Sequence, residues 1–151
     1  MIAPHGGRLI DRVLKDEEKK KVLDEKNELF GIDINLQLAK DVENIARGVY
    51  SPLEGFMIRE DLNTVIHSQR LSDDQAWTIP IILDITKESS ENVSVGDRIT
   101  LTTDGNFIAT LDVEDKYFFN KKELAEAIYG TSDTHHPGVA KTFNLQDVLL
   151  G

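Results

Sequence analysis

Two of the four histidines in this sequence are neighbours, His135 and His136, in the segment YGTSDTHHPGV (129–139), with Asp133 two residues ahead of the pair. Imidazole and carboxylate side chains so close together suggest either a metal site or an acid–base site. Their spacing argues against a shared metal. Adjacent side chains point to opposite faces of a strand and diverge by about 100° on a helix. No third ligand follows nearby. The segment therefore reads as a polar turn redirected by Pro137-Gly138. A second place for chemistry is PHGG (4–7), where His5 precedes two glycines. Glycines let a backbone approach a phosphate closely, but no strand-Gly-rich-helix spacing surrounds these two, so they read as a turn. His67 and Arg70 sit near the end of an expected helix and read as a structural surface pair. Glu54 in SPLEGFM has no partner carboxylate at a defensible spacing, and Leu53, Phe56 and Met57 around it read as an apolar anchor. No Ser-His-Asp arrangement can be assigned.

The elements that must position these residues change character along the chain. The spacing predicts helices over 16–31, closed by Gly31, and over 35–48, where Leu38, Val42 and Ile45 recur at helical intervals and Gly48 is the C-cap. A turn-rich apolar stretch covers 49–57. A third helix is expected over 59–71, with Leu62, Val65 and Ile66 on one side. A β-branched run follows over 77–86, interrupted by Pro80 and so read as an edge or bulged strand. Period-two alternation over 95–103 predicts a strand, with Ile99 and Leu101 on one face and Arg98 and Thr100 on the other. Asp104-Gly105 signals a tight hairpin into one or two return strands over 107–119. A helix over 120–130, with Asn120 as N-cap and Glu123 at the capping-box position, precedes a possible last strand over 139–151. Helical segments around a mostly antiparallel sheet, without βαβ alternation, indicate an α+β fold, and a small barrel edged by helices fits this order.

Composition narrows the function classes. A chain of 151 residues suits one domain or a small domain with a helical arm. There is no cysteine, which excludes disulfides, thiol catalysis and cysteine-ligated zinc. The net charge of -10 disfavours nucleic-acid partners, which call for a basic footprint. The densest basic stretch, KDEEKKK (15–21), is mixed with acids and reads as a solvated helix face. No apolar run is long enough to span a bilayer, and the first residues lack a signal-peptide core, so a cytoplasmic location is expected.

Five stretches, in order, resemble the N-terminal part of the ATP sulfurylase (sulfate adenylyltransferase) family: PHGGRLIDRV (4–13), YSPLEGFM (50–57), WTIPIILDI (77–85), VGDRITL (95–101) and VEDKYFFNKKELAEAIYGTSDTHHPGV (113–139). Lys116 and Thr134-His135 depart from the family pattern and look like surface changes. The resemblance implies a PUA-like β-barrel with helical additions, and residues 1–151 as a single noncatalytic N-terminal domain. It implies that the parent enzyme converts ATP and sulfate to adenosine 5'-phosphosulfate and pyrophosphate, stabilising phosphate charge by electrostatic clamps. ATP and Mg belong to a catalytic nucleotidyltransferase domain, whose Gln-x-Arg-Asn-Pro and paired-His motifs this sequence lacks. Gln69-Arg70 is not that motif, because Asn-Pro does not follow. The chain ends about where the family passes into that domain. No catalytic, cofactor-binding or metal residue is therefore assigned, and this chain alone is expected to be inactive. The expected partners are the catalytic domain, in cis or in trans, and further copies of the chain. Leu53, Phe56, Met57 and Val148–Leu150 are the expected docking surface. The alternative is a free-standing PUA-like module binding RNA or a protein.

Overall fold

The computed structural model describes residues 2–151. They divide into two compact units, one made of the described residues up to Phe56 with Asn92–Val113, the other of Met57–Glu91 with Glu114–Gly151.

In the first unit, α1 (Asp16–Glu25) starts with three acidic residues in its first turn, which suit the positive end of the helix dipole. It gives way to a short 3-10 turn over Lys26–Glu28 and then to a strand, β1 (Gly31–Asp33), so the expected helix ends early. Gly31 is not a helix cap. It pairs with Thr100, and a Cβ there would lie 3.2 Å from the Thr100 hydroxyl oxygen. The next helix, α2 (Leu36–Ala46), begins at Asn35, whose side chain accepts the Leu38 amide at 3.0 Å. It buries Ala39, Val42 and Ile45, three or four residues apart, on one face. Gly48 follows the helix at φ 75°, one residue past the cap. The central strand β3 (Arg98–Thr103) pairs in parallel with β1 and antiparallel with β4 (Asn106–Asp112). Asp104 and Gly105 join β3 to β4 with φ values of 49° and 76°, as a type I′ turn requires. Ile99 and Leu101 are buried as the alternation predicts, but so is Thr100, which was expected on the open face; its amide donates to the Phe30 carbonyl at 2.9 Å.

The second unit holds α3 (Arg59–Ser68), β2 (Leu83–Ile85), α4 (Lys87–Glu91), β5 (Lys116–Phe118), α5 (Lys121–Tyr129), α6 (Pro137–Phe143) and β6 (Val148–Leu150). Its sheet has the order β2-β6-β5, all antiparallel. The core is Met57, Leu62, Val65, Leu83, Tyr117, Leu124, Val139 and the whole of β6. Asn120 caps α5 by accepting the Lys122 and Glu123 amides, and Gly130 ends the helix at φ 69°.

Three expectations are corrected. The α+β class holds, but the barrel does not form. Among the described residues each sheet has three strands, four of the six strands are three residues long, and neither strand order returns to its first strand. Closure needs a continuous, staggered ring of paired strands, which neither sheet supplies. The run over 77–86 is a strand only at Leu83–Ile85. Pro80 has no amide to offer a ladder. The Trp77 indole instead donates to the Ile79 carbonyl, and the Ile81 carbonyl accepts the Met57 amide at 2.9 Å. Finally, Pro137-Gly138 does not merely turn the chain; it opens α6.

Candidate functional site

Two groups of the residues singled out in the sequence come together, one in each unit. In the first unit, the Ser51 hydroxyl accepts the Ile10 amide at 3.0 Å and donates to the Gly48 carbonyl at 2.7 Å. Ser51 is buried, so the hydroxyl meets backbone groups that water cannot reach. Gly48 allows the approach: a Cβ there would lie 2.2 Å from the Ile10 carbonyl oxygen. Glu54 accepts from both Arg8 and Arg12, so the carboxylate that lacked a partner in sequence is paired with two guanidinium groups. Both arginines keep more than half of their side-chain surface in solvent, so these pairs contribute little stability. PHGG forms a single 3-10 turn, and Gly6 faces the Pro52 ring. Thus 4–13 and 50–56 are one packed constellation rather than two sites.

In the second unit, the paired histidines part ways. The His136 ring nitrogen Nδ1 accepts the Gly138 amide at 3.2 Å and the Val139 amide at 3.4 Å, which makes it the N-cap of α6. Pro137 at the first helical position needs no hydrogen-bond partner. The Tyr129 ring lies 5.0 Å from the His136 ring, and a Cβ on Gly138 would come within 2.5 Å of Tyr129. His135 instead points outward, its Nδ1 2.8 Å from Asp133 Oδ1. Asp133 also accepts the His135 amide, and that backbone bond, then the imidazole, holds its carboxyl below the usual range. Among the described residues no group of three or more His, Asp or Glu side chains could hold a metal ion. His136 thus caps α6, and His135 closes a turn with Asp133.

His67 lies 3.4 Å from Glu123, linking α3 to α5, while Arg70 bonds to the Asp74 carbonyl. His67 and Arg70 do not meet in a common site. Glu123, expected to close a capping box, faces His67. Tyr117 is a residue that sequence reasoning missed: its buried hydroxyl donates to the Met57 carbonyl at 2.6 Å, and the Arg59 guanidinium lies 5.5 Å from its ring. Burial pushes its phenol far above the ordinary value. An aromatic between Lys116 and Phe118 could have signalled this only through its place in an alternating strand. Lys116 is not a bare surface change, since its ammonium donates to the Ser90 carbonyl at 2.9 Å.

The expected docking surface is overturned. Leu53, Phe56, Met57, Val148, Leu149 and Leu150 are all buried, with Met57, Leu149 and Leu150 wholly so. These residues are core, and none is free to receive a partner.

The family profile of the PUA-like domain matches residues 2–151. The sulfate adenylyltransferase of Hyperthermus butylicus is 47% identical over 148 residues, covering 98% of this chain and 38% of that one. That of Pyrococcus abyssi is 45% identical over 148 residues with the same two shares. The match lies in the N-terminal portion of these proteins, so the chain spans about two fifths of the length of the curated relatives it matches. Among solved structures, a hexameric APS kinase from Thiobacillus denitrificans is similar with a TM-score of 0.71 and 29% identity, over 80% of this chain and 24% of that one.

Proposed function

The chain belongs to the PUA-like domain family and corresponds to the N-terminal portion of sulfate adenylyltransferases, and from this we propose that it is the noncatalytic scaffold domain of such an enzyme. The parent reaction joins ATP and sulfate into adenosine 5'-phosphosulfate and releases pyrophosphate. In this reading the chain contributes no group to that reaction. It carries the catalytic domain, in cis or in trans, and offers surface for assembly of several copies in the cytoplasm. The hexameric relative supports the assembly role. No helix among the described residues is long and apolar enough to cross a membrane.

One observation carries the proposal. The segments that resemble the family are engaged in packing: Ser51 and Gly48 contact Ile10, Tyr117 bonds to Met57, and His136 with Gly138 starts α6 against Tyr129. Residues spent on buried or backbone contacts are poorly placed to bind a nucleotide. ATP and Mg are assigned to the catalytic domain, and nucleic acid is disfavoured by the charge of -10.

The test is pyrophosphate release from ATP and sulfate with Mg present, using the purified chain. No release above the buffer rate is expected. Release proportional to chain concentration, persisting through further purification, would refute the scaffold role.

A further inference from the structure

Residues 8–13 have no regular secondary structure, and they cross the C-terminal end of α2 in the first unit. From residue 2 to residue 21, Ile10 alone is buried, at 4% exposure, whereas its neighbours Leu9 and Val13 keep 64% and 53% of their surface in solvent. Two amides flank this single apolar peg. That of Ile10 donates to the Ser51 hydroxyl at 3.0 Å, and that of Arg12 donates to the Ala46 carbonyl at 2.8 Å. Ala46 is the last residue of α2, so the second bond satisfies a carbonyl that the helix itself leaves open. The pairs of Arg8 and Arg12 with Glu54 are exposed, and water and salt screen them. Closing such a segment orders its backbone and several long side chains, a cost that one buried side chain and two amide bonds offset only narrowly. Strand β3 of the same unit is held quite differently, with Ile99, Thr100 and Leu101 buried in succession.

We propose that residues 8–13 form a strap that opens and closes as one unit over the end of α2 while the β1-β3-β4 sheet stays folded, with Ile10 as its latch. Opening releases the Ala46 carbonyl and the Ser51 hydroxyl together and bares the apolar seat that Ile10 fills. The strap therefore acts as a detachable cap on the last turn of α2. Gly48 is what lets it close, since a Cβ there would lie 2.2 Å from the Ile10 carbonyl oxygen. The inference is independent of the scaffold reading above.

Amide hydrogen exchange of the whole chain, followed residue by residue by NMR in water and in sub-denaturing urea, tests the strap without any substitution. The reference is the Thr100 amide, which donates to the Phe30 carbonyl at 2.9 Å from a buried position in β3. The Ile10 and Arg12 amides should share one protection factor to within about threefold, at least about a hundredfold below that of Thr100. Urea should scarcely change their exchange, because a local opening exposes little surface, while it accelerates exchange at Thr100. Protection at Ile10 and Arg12 equal to that at Thr100, with the same urea dependence, would make the segment part of the global fold and overturn the proposal. Protection factors for Ile10 and Arg12 that differ by more than about tenfold would show that the two bonds break separately, and would overturn it too. So would exchange at both amides as fast as in an unfolded chain, because the strap would then not close.

Discussion

The Ser51 hydroxyl accepts the buried Ile10 amide and donates to the Gly48 carbonyl, so its loss strands that amide, while the carbonyl keeps the Ser51 amide at 3.1 Å. Ser51→Ala should cost roughly 1–3 kcal/mol, read as a lower urea midpoint with an unchanged slope. His136 acts through its ring nitrogen as a cap. His136→Ala should cost about 1 kcal/mol, and His136→Asn should recover much of that, because an amide oxygen can take the same amides. With Nδ1 committed to the cap, a Zn(II) titration should show no tight stoichiometric binding; a tight site abolished by His136→Ala would contradict this. Asp112 gives a pH signature. The hydrogen bond from Arg98 is the main cause that holds its carboxyl below the ordinary range. A depressed folded-state value means that the stabilisation is present above the unfolded carboxylate value and is lost as pH falls through the folded one. Asp112 is largely exposed, so the effect is small. Asp112→Asn should lower the urea midpoint near neutral pH and converge with the parent chain in strong acid.

At the scale of elements, the sequence announces those whose local signals agree. Asn35 and Asn120 cap the helices they precede, and Asp104-Gly105 turns the hairpin where expected. Other signals were outvoted by contacts distant in sequence. Gly31 read as a helix end because its partner, Thr100, lies far along the chain. The β-branched run after Trp77 looked like a long strand, but a strand needs a neighbour, and only Leu83–Ile85 finds one in β6. Helix α6 was hidden because Pro-Gly usually breaks structure; Pro at a first helical position was the signal that could have revealed it. Of the candidate site, the residue types were legible and their partners were not: nothing in SPLEGFM says that Glu54 will meet Arg8 and Arg12. The buried apolar anchors were misassigned because hydrophobicity does not distinguish a core from a docking face. Gly138→Ala tests the helix junction. A methyl would overlap the Tyr129 ring, so the variant should be destabilised by about 1–3 kcal/mol and should disturb the packing of α6 on α5. Loss of near-ultraviolet tyrosine dichroism would report it.

At the scale of the whole molecule, the chain engages the segments that resemble the family in its own packing. That arrangement suits a domain that carries another. The most direct test of the scaffold account is the mass of the native polypeptide in its source cells, by immunoblot against this domain. The account predicts a band well above 17.0 kDa, or a 17.0 kDa band that co-migrates with a catalytic subunit in a native gel. A 17.0 kDa band that travels alone would contradict it.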